Sequence, residues 1–224
     1  MKNKILVILF AIYSSTAYSQ IQKGAGYFGG ELSGYTNNSE NPDAFIADNS
    51  QTSNWTFEFS YGHYLTDNLA IGLGAGMNSN HYKYESIGDN YYSLNKQNSK
   101  LYYLSPFVRI SKKIIDNFYC FGSLELQAGT GTQESSYNST NSQDQSSERK
   151  LKNMGLGLTG GLNYFLNRHF ALTLSYGDLS YNYITAEDKD TDEKTISDSF
   201  RVDLGLSSIG IGLQYFINNG ADKK

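Results

Sequence analysis

Along most of this chain every second residue changes character, and that alternation limits the possible folds more than any other feature. Met154, Leu156, Leu158, Gly160, Leu162 and Tyr164 alternate with Gly155, Gly157, Thr159, Gly161 and Asn163. Leu69, Ile71, Leu73, Ala75 and Met77 alternate with Ala70, Gly72, Gly74, Gly76 and Asn78, and Trp55, Phe57, Phe59 and Tyr61 alternate with Asn54, Thr56, Glu58 and Ser60. A period of two marks strands with two chemically different faces. Weaker versions cover Gly26 to Tyr35, Leu101 to Ser111, Phe118 to Gly131, Phe170 to Tyr183 and Phe200 to Phe216. The pattern predicts about eight strands, an even number. In the last of them the apolar positions change parity, from Val202 and Leu204 to Ile209 and Ile211. A β-bulge near Ser207-Ser208 is expected there, to reset the outward face.

The connections alternate in length. Short ones fall at Leu65 to Asn68, Lys112 to Asn117 and Leu166 to Arg168. Long polar ones cover roughly Asn37 to Ser53, Tyr84 to Lys100, Glu134 to Lys150 and Ile184 to Asp198. Short turns at one end and long loops at the other are the asymmetry of an outer-membrane barrel, whose turns are periplasmic and whose loops are extracellular. A soluble sandwich has no reason to sort its connections this way. Composition agrees: Tyr 19, Phe 12 and Gly 22 against Pro 2, with 18% charged residues and a mean hydropathy of −0.48. Only alternate residues of a membrane barrel meet lipid, so such a chain is aromatic-rich yet polar on average. Tyr64, Phe118, Tyr164, Phe170, Tyr215 and Phe216 sit beside the short turns. Trp55, Tyr82, Tyr84, Tyr102, Tyr181, Tyr183 and Phe200 sit beside the long loops. Both groups are expected to form interfacial girdles. The fold expected is therefore all-β, an eight-stranded antiparallel up-and-down transmembrane β-barrel with short periplasmic turns and long extracellular loops.

The N-terminus carries an address. Lys2 and Lys4 precede an apolar run from Ile5 to Ile12, then small and polar residues ending in Ala17-Tyr18-Ser19-Gln20. This is a secretory signal with cleavage expected after Ser19, and the run is too short for a spanning helix. Residues 20–217 are then the barrel and 218–224 a short periplasmic tail. Loss of Lys2 and Lys4 moves the formal charge from −4 to −6. An acidic chain without a basic stripe argues against nucleic acid as a partner. Cys120 stands alone, so there is no disulfide framework.

Four segments carry a family resemblance. Tyr64-Leu65-Thr66-Asp67-Asn68-Leu69-Ala70-Ile71-Gly72 and its echo Tyr164-Phe165-Leu166-Asn167-Arg168-His169-Phe170-Ala171 resemble the aromatic-turn-strand motif of a porin-like outer-membrane β-barrel family common in Bacteroidetes. Ser105 to Arg109 resembles its fourth strand, and Ser208 to Phe216 its closing strand and the signal read by barrel-assembly machinery. The resemblance spans nearly the whole chain after the signal segment and implies a small barrel in a Gram-negative outer membrane. It also implies a chain with no room for the peptidoglycan-binding domain of outer-membrane-protein-A relatives.

Candidate chemistry is sparse. Gly155-Leu156-Gly157-Leu158-Thr159-Gly160 matches a dinucleotide fingerprint literally, but the pattern continues as a strand where the motif needs a helix. The glycines are expected to line a narrow lumen, and no cofactor is expected. Glu31, Glu58, Arg109, Glu125, Arg201 and Asp203 fall at inward positions and form the expected polar network of the lumen. Ser79 and His81 share an outward face near the extracellular rim, with Glu85 just beyond. Lipid A deacylase barrels work from such a pair, so a hydrolase is one reading. The acidic run around Asp188, Asp190 and Asp192 lacks the Gly turn and closing Glu of an EF-hand. The leading expectation is a non-enzymatic barrel with a structural or surface-interaction role, its partners being outer-membrane lipids and lipopolysaccharide. A small-solute pore and the lipid A hydrolase are the alternatives.

Overall fold

A computed structural model describes residues 21–41, 47–89, 91–140, 142–205 and 208–217. The expected signal segment and the 218–224 tail lie outside the described residues. The strands are β1 (Gly26–Asn41), β2 (Ala47–Tyr64), β3 (Leu69–Gly88), β4 (Tyr91–Ile115), β5 (Phe118–Ser139), β6 (Ser142–Phe165), β7 (Phe170–Asp188), β8 (Lys194–Asp203) and β9 (Gly210–Ile217). Each pairs antiparallel with its predecessor through β7, β8 and β9 both pair with β7, and β9 closes the ring on β1. Since β8 and β9 occupy one wall position, the ring has eight strands, as the alternation requires.

Closure of β9 on β1 pairs the backbone around the ring as far as Ser33↔Gly210, and internal pairing is the condition for crossing lipid. Outward positions form an apolar belt that includes Leu73, Leu104, Leu126, Leu156 and Leu213, all exposed. Eight strands leave an interior that side chains nearly fill.

The four long connections differ from irregular loops. Their residues continue the strands, so that β3 reaches Gly88 and β4 begins at Tyr91, while β5 reaches Ser139 and β6 begins at Ser142. The cause is that both faces of these segments meet water above the membrane. Ser, Thr, Asn, Gln and Tyr then serve on either face, and the period-two signal vanishes although the backbone ladder persists. On β4 the residues from Tyr91 to Leu101 lie above the belt, a projection of roughly 25–30 Å at ordinary strand rise and tilt.

The parity reset in the last wall position is wider than one bulge. Pairing with β7 stops at Asp178↔Asp203 and resumes at Ser175↔Gly210. Of the two residues named for the bulge, Ser207 lies outside the described residues. Ser208 clamps the interruption: its Oγ donates to the Gly205 carbonyl at 2.8 Å and accepts from the Gly177 N–H at 3.2 Å. Gly177 has φ +82° and bulges β7 itself, shifting its register with β6 between Thr159 and Gly160. The outward residues of β7 thus change from Tyr176 to Leu179.

Candidate functional site

The lumen has two storeys. The lower, at the short turns, is an aromatic plug of Tyr27, Tyr64, Phe107, Tyr119, Phe165 and Phe216 seated on Ile21, Ala25, Ala70 and Ala171. Phe216 packs 4.9 Å from Phe165 and 5.3 Å from Tyr27, centroid to centroid. Tyr64 Oη and Ser111 Oγ share a hydrogen bond of 2.9 Å. Tyr64 and Phe216 therefore leave the expected outward girdle and face inward, both fully buried. Strand parity explains this: on β2 the odd residues Phe57, Phe59 and Tyr61 face lipid, and on β9 Leu213 and Tyr215 do. Phe170 and Tyr215, and at the other rim Trp55, Tyr102, Tyr181, Tyr183 and Phe200, are exposed outward as expected.

Arg109 roofs the plug. Its guanidinium lies 4.3 Å from the Phe121 ring centroid, 5.4 Å from Phe107 and 5.8 Å from Tyr27. Nε donates to Ser123 Oγ at 2.7 Å, while Nη1 is buried without a hydrogen-bond partner among the described residues. Stacking on ring faces is how a guanidinium tolerates such an apolar cage.

The upper storey is a cavity of about 320 Å³ whose wall includes all six inward residues named from the sequence: Glu31, Glu58, Arg109, Glu125, Arg201 and Asp203. Glu31 and Glu58 stand directly opposite each other across β1 and β2, a costly placement for like charges. Hydroxyls hold them: Ser175 Oγ donates to Glu31 Oε1 at 2.5 Å and Ser105 Oγ to Glu58 Oε2 at 3.1 Å. Glu125 enters from the facing wall on β5. Among the described residues, none of these three carboxylates lies within 4 Å of a cationic nitrogen. Direct ion pairing, open from the sequence, is not how the carboxylates are held. Lining residues not foreseen include Asp178, Tyr103 and Gln214. Asp178 turns inward because of the Gly177 bulge, and the parity change from Tyr176 to Leu179 carried that signal. Gln214 is buried with Oε1 unpartnered.

Gly155 and Gly157 do line the cavity, and β6 runs on through the literal nucleotide motif as a strand. Crowding accounts for Gly161, where a Cβ would lie 2.5 Å from the Phe121 ring, but not for Gly157, which faces open space.

Ser79 and His81 lie on β3 as expected. His81 Nδ1 is hydrogen-bonded to Asn98 Oδ1 on β4, and no Ser79–His81 hydrogen bond forms. Glu85 accepts from Lys83 at 2.9 Å and from Tyr92 Oη at 3.4 Å, which draws its pKa below the ordinary carboxylate value. The three residues are thus not assembled into a relay. At the β7–β8 tip, Asp188 Oδ1 caps the N–H groups of Asp190 and Thr191 at 3.0 and 3.3 Å. Among the described residues no group of three or more His, Cys, Asp or Glu is placed to hold a metal ion.

Residues 5–207 match the family described as outer membrane protein beta-barrel domain. The chain belongs to this family. It is an outer-membrane β-barrel protein. No curated protein matches it. Similar solved structures include Neisserial surface protein A (15% identity, 86% of this chain and 99% of that one, TM-score 0.44). Others are the outer membrane protein OprG from Pseudomonas aeruginosa (14%, 89% and 98%, TM-score 0.40) and Ail, the attachment invasion locus protein of Yersinia pestis (14%, 88% and 100%, TM-score 0.36).

Proposed function

We propose that this barrel is a non-enzymatic, non-conducting outer-membrane protein with a structural and surface-interaction role. The plug is the observation that carries the reading. Six aromatic side chains fill the periplasmic end of an eight-stranded lumen, leaving the cavity above them as a blind recess. The working surface is then the projecting β-hairpins, whose outer ends expose Tyr91, Tyr92, Tyr137, Ile87 and Ile196 among Ser and Asn. Tyr with Ser and Asn gives rigid contact area and adaptable hydrogen bonding at low entropy cost, the chemistry of protein-binding surfaces. Outer-membrane lipids and lipopolysaccharide are the partners of the belt and rim, and the Ser208 to Phe216 segment suits recognition by barrel-assembly machinery.

The test is conductance in planar bilayers of protein whose folding is verified by heat-modifiable gel mobility. A silent wild-type barrel supports the reading. Discrete conductance steps would replace it with the small-solute pore.

A further inference from the structure

The barrel wall is open on one side. β1 pairs with β9 only as far as Ser33↔Gly210, although its other edge stays paired with β2 to Asn41. β8 pairs with β7 alone. Because β8 continues the wall position of β9, the free edge of Lys194–Asp203 and the free edge of Gly34–Asn41 border one gap. Its lower end lies at the level of the belt, since Val202 is opposite Leu179, and Leu179 opposite Leu158. An unpaired strand edge does not persist against hydrocarbon without something polar to meet it.

The two sides of this gap differ chemically. Outside, Phe200 and Val202 of β8 and Leu204 just beyond it are 69%, 58% and 67% exposed. Inside, the cavity reaches both borders, through Tyr35 on β1 and through Arg201 and Asp203 on β8. Five carboxylates line that cavity (Glu31, Glu58, Glu125, Asp178 and Asp203) against two guanidinium groups. Gln214, 96% buried, adds an acceptor oxygen that no donor among the described residues reaches. Acceptors and negative charge call for a ligand with N–H donors and positive charge. The apolar outer margin calls for a hydrocarbon tail.

We propose that the β1–β8 gap is a side entrance through which a single-chain alkylammonium amphiphile seats its head group in the acidic cavity while its tail lies on the outer face of β8. The head group seats against Glu31 and Glu58, and the tail completes the belt where the wall is broken. The blind recess above the plug then has a ligand without the barrel being a pore.

The experiment uses the barrel in phosphatidylcholine nanodiscs, with decylammonium and decanoate as probes and partition into empty nanodiscs subtracted. We expect saturable decylammonium binding at least about tenfold tighter than that of decanoate, with a loss of about tenfold or more in Glu31→Gln/Glu58→Gln, the size of one charge-assisted hydrogen bond. Glu125→Gln, a milder change on the facing wall, must weaken binding in the same direction if the double variant fails the heat-modifiability check. A decylammonium carrying a diazirine at its tail end should label Val202 and Leu204. Equal affinity for the two head groups, binding unchanged in folded variants, or labelling confined to the hairpin tips would each overturn the proposal.

Discussion

Truncating Phe216 probes the plug and the reading built on it. The side chain is fully buried, flanked by Phe165 at 4.9 Å, Tyr27 at 5.3 Å and Tyr64 at 6.4 Å. Phe→Ala in a packed core costs about 3–5 kcal/mol, from lost transfer energy and the cavity left behind. This cavity adjoins a polar recess that water can enter, so relaxation by hydration puts Phe216→Ala near the lower end, about 3 kcal/mol. Phe165→Ala/Phe216→Ala should cost less than the sum of its parts, because the two rings touch. The assay is reversible urea unfolding in phosphatidylcholine vesicles, followed by Trp55 fluorescence, with single-channel recording on the same samples. Phe216→Ala should unfold at clearly lower urea with an unchanged m-value, and the double variant should conduct where the wild type does not. A loss below about 1 kcal/mol for Phe216→Ala would refute the packed plug. So would a double variant as silent as the wild type, because some other group would then be closing the lumen.

Three further outcomes follow from particular residues. Gly177→Val forces a β-branched side chain into φ +82° and should cost about 1–2 kcal/mol or more in the same unfolding assay. Asp188 is held below its ordinary pKa of 3.8 chiefly by the Asp190 and Thr191 N–H groups. Its cap should therefore persist above that value and be lost as pH falls through the lower folded value. Amide exchange at Asp190 and Thr191 should show protection at pH 5, little at pH 2, and little at either pH in Asp188→Ala. Because His81 is engaged by Asn98, His81→Ala should leave the acylation pattern of lipid A in intact cells unchanged, as read by mass spectrometry. A pattern that changes with His81→Ala would revive the hydrolase.

The belt was legible in the sequence because lipid on one side and a lumen on the other impose opposite demands on neighbouring residues. Leu156 and Gly157 cannot exchange places, and that asymmetry is written as period two. Above the membrane the demand disappears. The stretch from Tyr84 to Lys100 reads as loop although it forms a paired ladder, because strand pairing is a backbone property and water accepts either face. Residues at strand ends were misread for a related reason. Tyr64 and Phe216 were placed by nearness to a turn, whereas parity, which puts Tyr61 and Tyr215 outward, places them inside. Parity puts Glu31, Glu58, Arg109, Glu125, Arg201 and Asp203 on the side of their strands that borders the cavity. Asp178 was not legible from parity, since a single glycine bulge reverses the count and a short window does not show it. The open edge of β8 was legible in no local pattern. It follows from a pairing that stops, and pairing is a relation between segments.

The break in the wall and the acidity of the lumen are linked by the same elements. An uninterrupted eighth strand would carry pairing with β1 past Ser33. The described residues of the link instead make local contacts. Asp203 Oδ1 accepts from Gly205 N–H at 2.8 Å, Tyr176 Oη donates to the Leu204 carbonyl, and Ser208 ties Gly205 to Gly177. Among the described residues of the link, none of these bonds comes from β1. Restoring the ladder would require Gly177 and Ser208 to give up their contact. Ser208→Ala should therefore loosen the link and raise amide exchange at Gly177, while exchange across the β1–β9 pairs from Gly26 to Ser33 stays slow. If the β1–β9 pairs loosened together with Gly177, the gap would be a weak point of the whole wall and not a feature held in place by its own clamp.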